Sequence, residues 1–226
     1  MIMSYYDLLL QYYPALLQGL WTTLLLSFVT LVLATPAAVV IAVLRETGSR
    51  YIAVPLAILV NIVRLLPALV VLFFVFYAMP QLGHRLSPLA AAFIGLSVMG
   101  AAYMSEDFRG SLSAIDPGQY RAAKALGLSH LHTLRRIIIP QAVPLAIPPY
   151  ITRAIIMVKG TSLASMIAVG DLTAQASRAT SITYQPFFFI VLAGLGYLAI
   201  SALLALFQSW AEFSIARRYR LAPRQG

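Results

Sequence analysis

The chain has 226 residues, of which 61% are hydrophobic and only 10% are charged, and its mean hydropathy is +0.85. A water-soluble domain of this size cannot bury so much apolar surface, so these values indicate a protein whose solvent is lipid. The sequence contains no cysteine, which excludes disulfide bonds, thiolate metal sites and cysteine nucleophiles. The net charge of +9 would suggest nucleic-acid binding in a soluble protein. In a membrane protein, the distribution of these positive charges first indicates which loops face the cytoplasm.

The amino-terminal region lacks the basic stretch that opens a secretory signal, because Asp7 is the only charged residue before Arg45. We therefore expect the first apolar run to be retained. Residues 5–17 are rich in aromatic side chains, which is equally consistent with a helix at the membrane interface and with a flexible lead-in. Residues 1–18 are predicted to form a segment outside the membrane.

Five apolar runs are long enough to cross the hydrocarbon as helices, which takes about 20 residues. They cover residues 19–44, 52–79, 86–105, 147–170 and 183–211. Several prolines crowd the start of the fourth run, and we expect them to bend or delay its helix because proline removes a backbone donor. The prediction is an all-α integral membrane protein: one domain over residues 1–226, with a transmembrane core at 19–211.

Lysine and arginine are concentrated on one predicted side of the membrane. Five crossings place three segments on the same side of the membrane: the turn at 45–50, the loop at 106–140 between spans three and four, and the tail at 212–226. The opposite side holds only Arg85 and Arg178. This asymmetry predicts an external amino terminus and a cytoplasmic loop and tail. The basic tail is interpreted as an anchor near lipid headgroups, because no aromatic platform or nucleic-acid motif accompanies it.

The predicted cytoplasmic loop carries signals for two short helices. Pro117 suits the first position of a helix whose N-cap is Asp116, and Gly127 suits its end because glycine accepts the left-handed conformation. Ser129 can then cap a second helix over residues 130–136. A plain amphipathic helix on the membrane surface is the alternative interpretation of this basic segment.

Residue spacing in this loop favours a docking element. Ala122, Ala123, Gly127, Ile137 and Pro140 lie in a register that resembles the signature loop of permease subunits of ABC importers. That family pattern is Glu-Ala-Ala, three residues, Gly, nine residues, Ile, one residue and Leu-Pro. The resemblance implies that the short helix after the glycine is a coupling helix, which binds a groove of a separate ATPase.

The loop departs from the pattern at two positions: Ile139 replaces the leucine, and Arg121 replaces the glutamate, so any ion pair made by that glutamate is in doubt. The resemblance marks these residues as the ATPase-coupling set: Arg121, Ala122, Ala123, Gly127, Leu128, Ser129, His130, Leu131, His132 and Arg135.

Further segments resemble the polar amino acid branch of these permeases: residues 19–24, the Arg-Leu-Leu-Pro of 64–67, the Phe-Arg-Gly of 108–110, and the Lys-Gly-Thr-Ser-Leu of 159–163. The resemblance implies a multi-pass protein of the bacterial inner membrane. It also implies two ATPase subunits that bind ATP and Mg²⁺, a second permease that is identical or homologous, an extracytoplasmic solute-binding protein and an amino acid substrate. This chain itself is expected to bind no cofactor.

Three cations lie within the predicted spans, and no acidic residue lies in any span interior. A charge at the bilayer centre costs about 2.5–3.5 kcal/mol on insertion scales, so such residues should face a cavity or the protein interior. Arg64 or Arg153 could meet the carboxylate of a transported amino acid; the alternatives are snorkelling and pairing with backbone carbonyls near a proline. Lys159 is assigned a structural role. Arg153 would disfavour basic substrates.

The residues predicted to line a substrate path are Asn61, Arg64, Met99, Tyr103, Arg153 and Met157. Ordinary helix packing is the alternative for the four uncharged ones.

Several functions find no support in the sequence. It has no phosphate-binding loop of the Gly-x4-Gly-Lys-Ser/Thr type, and its three histidines, two of them in one short loop, do not form a convincing metal site. A stand-alone secondary transporter or channel remains the alternative, but it predicts repeated halves, which we do not find. A membrane-embedded enzyme would need clustered acids or histidines within the spans. We therefore expect a non-enzymatic subunit of an ATP-driven importer that works by alternating access.

Overall fold

The computed structural model describes residues 5–219, and the side chains of residues 5–217. Within that range the chain forms helices joined by short turns, with no strand. The α-helices are α1 (Tyr5–Thr47), α2 (Arg50–Leu65), α3 (Ala68–Phe73), α4 (Pro88–Ser113), α5 (Pro117–Ala125), α6 (His130–Thr133), α7 (Ile139–Gly160), α8 (Leu172–Thr183) and α9 (Pro186–Tyr219). Phe74–Ala78 and Leu134–Ile138 are π-helical, and Met79–Leu82 and Thr161–Ile167 are 3₁₀-helical.

The first helix is longer than a membrane is thick. Its 43 residues span about 65 Å at 1.5 Å per residue, about twice the hydrocarbon thickness. The aromatic segment at 5–17 is the first part of this helix, so the expectation of a flexible lead-in is wrong, whereas its place at the membrane interface stays a prediction. Leu8 is buried against α8 and α9, and Tyr12 contacts Phe189 edge to face. Tertiary contacts with α8 and α9 thus support the first turns of α1.

The second predicted span is broken. α2 and the segment from Ala68 to Leu82 meet at an angle of 103°, and Leu66 between them is extended (φ −76°, ψ 140°). Proline disfavours the helical conformation in the residue before it and donates no backbone hydrogen bond, so Pro67 ends the helix. The prediction of one continuous helix over 52–79 is therefore wrong, although the Leu66-Pro67 sequence itself indicates a helix end.

Two other spans extend toward the charged loop. α4 continues to Ser113, beyond the predicted end at 105, and α7 begins at Ile139 instead of residue 147. Pro144, Pro148 and Pro149 lie inside α7, so the expected delay of this helix does not occur. The last span begins at Pro186, and residues 212–219 of the predicted tail are helical; Arg220 and Arg224 lie outside the described residues.

Contacts at the two ends of the bundle give the number of crossings. Arg45, near the end of α1, forms an ion pair with Glu106, near the end of α4, so these helix ends share one side. Residues 114–138 follow α4 on this same side. They are here called the foot, and this side is called the foot side. α2 starts at Arg50 next to this pair, whereas the segment ending at Leu82 leads to the opposite end of α4, so the bent pair crosses once. Four unbroken helices plus this pair, counted as one span, make five candidate spans in the described residues, the number that the sequence predicts.

Small residues allow α1 and α4 to lie close together. Ala34, Ala38 and Ala101 are buried between them. A Cβ atom on Gly100 would lie 3.0 Å from Ala34 Cβ and 2.8 Å from Met157 Cε. Close approach of backbones is the usual means of helix association in lipid, where the hydrophobic effect between helices is absent.

On the side opposite the foot, a buried carboxyl group joins α8 to α1 and α9. Asp171 is fully buried and caps α8, accepting hydrogen bonds from Ala174 N (3.0 Å) and the Tyr197 hydroxyl (3.0 Å). The next residue, Leu172, donates its N–H to Thr23 Oγ1 of α1. The sequence analysis did not predict α8, because its polar composition gives no span signal. Burial raises the pKa of Asp171 above its usual value, and its hydrogen bonds offset only part of that rise.

We predict that Asp171→Ala lowers the free energy of unfolding by about 1–3 kcal/mol, because it leaves the Tyr197 hydroxyl and Ala174 N–H without their acceptor. Asp171→Asn should retain most of that energy, since the amide can both accept and donate. Because the folded-state pKa is raised, the Asp171 carboxyl group contributes most to the free energy of unfolding below about pH 4. This contribution is lost as the pH rises through the folded-state pKa. Thermal unfolding in detergent at several pH values would measure both effects; equal pH dependence in the native chain and Asp171→Asn would contradict the prediction.

Candidate transport site and coupling surface

The foot folds as its local signals predict. The Asp116 carboxylate accepts from Gly118 N (2.8 Å) and caps α5, and the Ser129 hydroxyl accepts from His132 N (3.3 Å) and caps α6. Gly127 between them has φ +74°, the left-handed conformation expected at a helix end. The foot is anchored by Ile115, Leu134 and Ile138, which are buried against the ends of α4 and α7.

Most of the predicted coupling residues lie on the foot surface. Leu128 is half-buried, whereas Ala123 is only 2% exposed. Ala123 therefore faces the protein and does not belong to a contact surface. Leu126 is 77% exposed because it lies just after the end of α5, where the helical turn stops. The exposed predicted residues are Arg121, Ala122, Gly127, Ser129, His130, Leu131, His132 and Arg135.

An aromatic stack holds the two foot helices together. The Tyr120 ring of α5 stacks on His130 of α6, with centroids 6.0 Å apart. Burial raises the pKa of the Tyr120 phenol, and the negative charge of Glu46 on α1 raises it further. Tyr120 is therefore neutral at physiological pH, and its position links the foot to the end of α1.

A cavity of about 390 Å³ lies in the middle of the bundle, next to the break between α2 and α3. This volume lies within the roughly 300–1,000 Å³ range of small-molecule sites. Four predicted path residues line this central cavity: Met99, Tyr103, Arg153 and Met157. The other two, Asn61 and Arg64, do not line it: Asn61 is exposed on α2, and Arg64 is half-buried beside the helix break.

Two arginines flank the Tyr103 ring. Arg153 Cζ lies 4.7 Å and Arg64 Cζ 5.5 Å from the ring centroid, both within cation–π distance. The Tyr103 hydroxyl donates a hydrogen bond to the Arg64 carbonyl oxygen (2.8 Å), next to the helix break. Arg64 Nε is buried and has no hydrogen-bond partner, and Arg64 forms no ion pair with the acidic side chains that the structure describes.

Arg153 is paired with an acid, contrary to the expectation that the spans contain none. Its Nε and Nη2 atoms donate to the two carboxylate oxygens of Asp107, at 2.9 and 3.0 Å. Asp107 lies in α4 because that helix continues two turns past the end of the apolar run. The alternatives of snorkelling and pairing with backbone carbonyls are therefore wrong for Arg153, and its charge is balanced in this conformation.

The residue before Asp107 forms a second cluster. Glu106 pairs with Arg45 of α1 and also accepts from Arg109 Nε (3.1 Å) and Nη2 (3.0 Å), one turn later in α4. The two neighbouring acids of α4 thus bind arginines from α1 and α7 respectively.

A larger cavity of about 760 Å³ opens between the foot-side ends of α4, α7 and α9. Asp107 and Glu212 line this foot-side vestibule, as do Pro144, Pro148 and Pro149 of α7. Proline leaves the carbonyl one turn earlier without its helical donor, and such groups are tolerated where they line a water-filled space. This placement explains why α7 stays helical through three prolines.

The sequence analysis missed several polar groups of the central cavity. Ser27 and Thr30 of α1 and Thr161 after α7 line it, and Thr30 Oγ1 is buried with no partner. Their signal was weak because isolated hydroxyl residues are common in membrane helices. The geometry as a whole defines a class of protein: a membrane-spanning subunit with a mainly apolar cavity that carries a few polar groups, and an exposed foot between two spans.

Comparison with known proteins agrees with this class. Residues 34–217 match the family described as binding-protein-dependent transport system inner membrane component. The probable amino-acid ABC transporter permease protein YckA of Bacillus subtilis is 33% identical over 205 residues, which are 91% of each chain. The probable glutamine ABC transporter permease protein GlnP of the same organism is 36% identical over 191 residues, covering 83% of this chain and 88% of that one.

Solved structures agree as well. A crystal structure of an amino acid ABC transporter with histidines matches with a TM-score of 0.88 at 28% identity, covering 95% of this chain and 100% of the other. An inward-facing conformation of the MetNI methionine ABC transporter has a TM-score of 0.73 at 20% identity, covering 88% and 95%, and so shares the fold. The chain belongs to the binding-protein-dependent transport system inner membrane component family, and the resemblance predicted from the foot is confirmed.

We predict that Tyr103→Phe lowers the free energy of unfolding by about 1 kcal/mol, because the Arg64 carbonyl beside the helix break loses its donor while the ring stays in place. Tyr77→Phe, at an exposed tyrosine after the same break, is the matched control and should change little. Thermal unfolding in one detergent compares the two variants. An equal effect of both would show that the hydroxyl of Tyr103 carries no special role.

Proposed function

We propose that this chain is the membrane-spanning permease of an ATP-driven importer that moves a polar amino acid by alternating access. The observation that carries the proposal is the exposed foot, which retains the Gly127, Ile137 and Pro140 register and lies between two helices that line the internal cavities. Family membership supports the same assignment, as do the names of relatives that are called amino-acid permeases. ATP and Mg²⁺ would be bound by a separate ATPase.

The foot is proposed to face the cytoplasm, with the amino terminus outside. Support comes from the distribution of cations in the described residues. Arg45, Arg50 and Arg109 lie on the foot side with the basic residues of the foot itself, whereas Arg85 and Arg178 lie in turns or helices on the opposite side. Positive charge is enriched on the cytoplasmic side of membrane proteins. This orientation places the foot where an ATPase would be.

The foot surface offers the ATPase both apolar and basic groups. Leu131 is 66% exposed and Leu126 is 77% exposed, so the foot presents apolar side chains that a partner could cover. A second permease copy or a homologous permease would complete the pathway, because five crossings are few to enclose one. A solute-binding protein would deliver the substrate from outside.

The charges in the central cavity and beside it favour neutral or acidic amino acids over basic ones: Arg153 lines the cavity, and Arg64 lies next to it against Tyr103. Arg153 is balanced by Asp107, so Arg64 remains as the cation without an acidic partner among the described side chains. A positive balance attracts a carboxylate and repels a second cation. Arg64 therefore replaces Arg153 as the residue that we propose sets this preference.

The experiment that tests the proposal is co-purification of the chain with its nucleotide-binding subunit, followed by uptake measurements in proteoliposomes. Leu131→Glu should reduce the recovered ATPase about tenfold, because it places a charge where an apolar contact of roughly 1.4 kcal/mol or more is expected. The matched control is Leu82→Glu, at a leucine that is 67% exposed on the opposite side. Equal loss with both variants, or uptake without any ATPase, would contradict the proposal and favour a secondary transporter or channel.

A second prediction concerns selectivity. Arg64→Gln should lower the ratio of glutamate to arginine uptake about tenfold, the effect of losing roughly 1.4 kcal/mol of charge discrimination. Arg50→Gln, at the exposed start of the same helix, is the control and should leave the ratio unchanged. Competition among glutamate, glutamine and arginine in the reconstituted complex measures the ratio. Preferred arginine uptake by the native complex would contradict the assignment of Arg64.

A further inference from the structure

An ion pair joins a wall residue of the central cavity to a wall residue of the foot-side vestibule. Arg153 lines the central cavity, Asp107 lines the foot-side vestibule, and their side chains are joined by two hydrogen bonds of 2.9 and 3.0 Å. The Tyr103 ring covers the Arg153 guanidinium from the side of the central cavity. The pair therefore lies where the central cavity and the foot-side vestibule approach each other.

The pair is partly shielded from water, which decides how it can open. The Arg153 and Asp107 side chains are 20% and 18% exposed. Separating them with nothing in exchange would leave two poorly solvated charges, each without its counter-charge, which is unfavourable. Water alone therefore opens the pair rarely.

We propose that the Asp107–Arg153 pair is a gate between the two cavities, and that a zwitterionic amino acid opens it by exchange. The α-carboxylate of the solute replaces Asp107 on Arg153, and its α-ammonium group replaces Arg153 on Asp107. Each buried charge keeps a counter-charge throughout the exchange, so a zwitterion avoids the cost that a neutral or singly charged solute would meet. This inference rests on the proposed transport of amino acids and names the chemical feature that the gate selects.

Neighbouring contacts suit this role. The fork of the Arg153 guanidinium matches any carboxylate bidentately, that of a free amino acid as well as that of Asp107. Glu106 is held by Arg45 and Arg109, so it does not compete for Arg153. The gate also joins α4 to α7, the two helices between which the foot is inserted, so opening it changes the contact between the helices that the foot moves.

The absence of cysteine from the sequence allows a direct test. Ala68→Cys places a single thiol in the wall of the central cavity, and Leu131→Cys places one on the foot. Membrane vesicles in which the Leu131→Cys chain reacts with an impermeant maleimide expose the foot side, whatever the orientation in the cell. In vesicles of this orientation and without ATP, the Ala68→Cys thiol should react slowly with the same maleimide, because the intact Asp107–Arg153 pair lies between the vestibule and the central cavity.

Breaking the pair should expose that thiol. Asp107→Asn or Arg153→Gln should raise the labelling rate of the Ala68→Cys chain about tenfold, which corresponds to roughly 1.4 kcal/mol in the opening equilibrium. The double exchange Asp107→Arg with Arg153→Asp restores the pair and should restore slow labelling. The control is Glu212→Gln, which removes a vestibule charge without touching the pair.

Amino acids test the exchange itself. A mixture of L-glutamine, L-glutamate and L-arginine should accelerate labelling behind the native pair, whereas the same compounds without the α-ammonium group should not. Unchanged labelling after the single substitutions, fast labelling of the double exchange, or equal acceleration by the deaminated compounds each overturns the gate. The proposed function fails separately: it fails if ATP-dependent amino acid uptake is absent, and this labelling needs no ATP.

Discussion

Glu106 and Asp107 are adjacent on α4, and their carboxylates bind arginines of two different helices. Successive side chains of a helix point about 100° apart, so two neighbouring acids can reach partners on separate sides. Arg45 of α1 and Arg153 of α7 are those partners. A lone arginine within a span is costly, and each pair removes that cost only while the helices keep their positions. These pairs therefore fix α1, α4 and α7 relative to one another at the level where the foot begins.

The same three helices transmit any movement of the foot. Leu134 and Ile138 are almost completely buried, and they pack with Leu112 and Ala142 from the ends of α4 and α7. A close-packed apolar contact transmits displacement because it cannot be compressed. α4 and α7 also supply the walls of the central cavity, through Tyr103 and Arg153. A partner that displaces the foot thus acts on the cavity through two continuous helices, and Tyr120 near Glu46 adds a contact with α1.

The sequence predicts the foot well and the interior of the bundle poorly, for a physical reason. Asp116, Gly127 and Ser129 act on backbone groups one to three residues away, so their effect can be read locally. Asp107 was not predicted to lie in a spanning helix, because the apolar run ends before the first charged residue. The helix nevertheless continues, because Arg153, 46 residues later in the chain, neutralises the charge of Asp107. The break before Pro67 was readable from the residue pair, but its 103° bend and the cavity beside it depend on tertiary contacts.

An ion pair suits a passage for zwitterions better than an apolar constriction of the same size. A ring of leucines would exclude water, but an amino acid crossing it would lose the hydration of two charges with no compensation. A paired Asp107 and Arg153 also exclude water, because neither is stable alone in a shielded site. Yet the net contribution of such a pair to stability is small, so an equivalent pair of charges can replace it at little cost. A single ion meets only one complementary group and leaves the other unpaired. The proposed gate would therefore discriminate by the number and separation of charges on the solute, and the proposed role of Arg64 near Tyr103 would be to bias the sign of any additional charge.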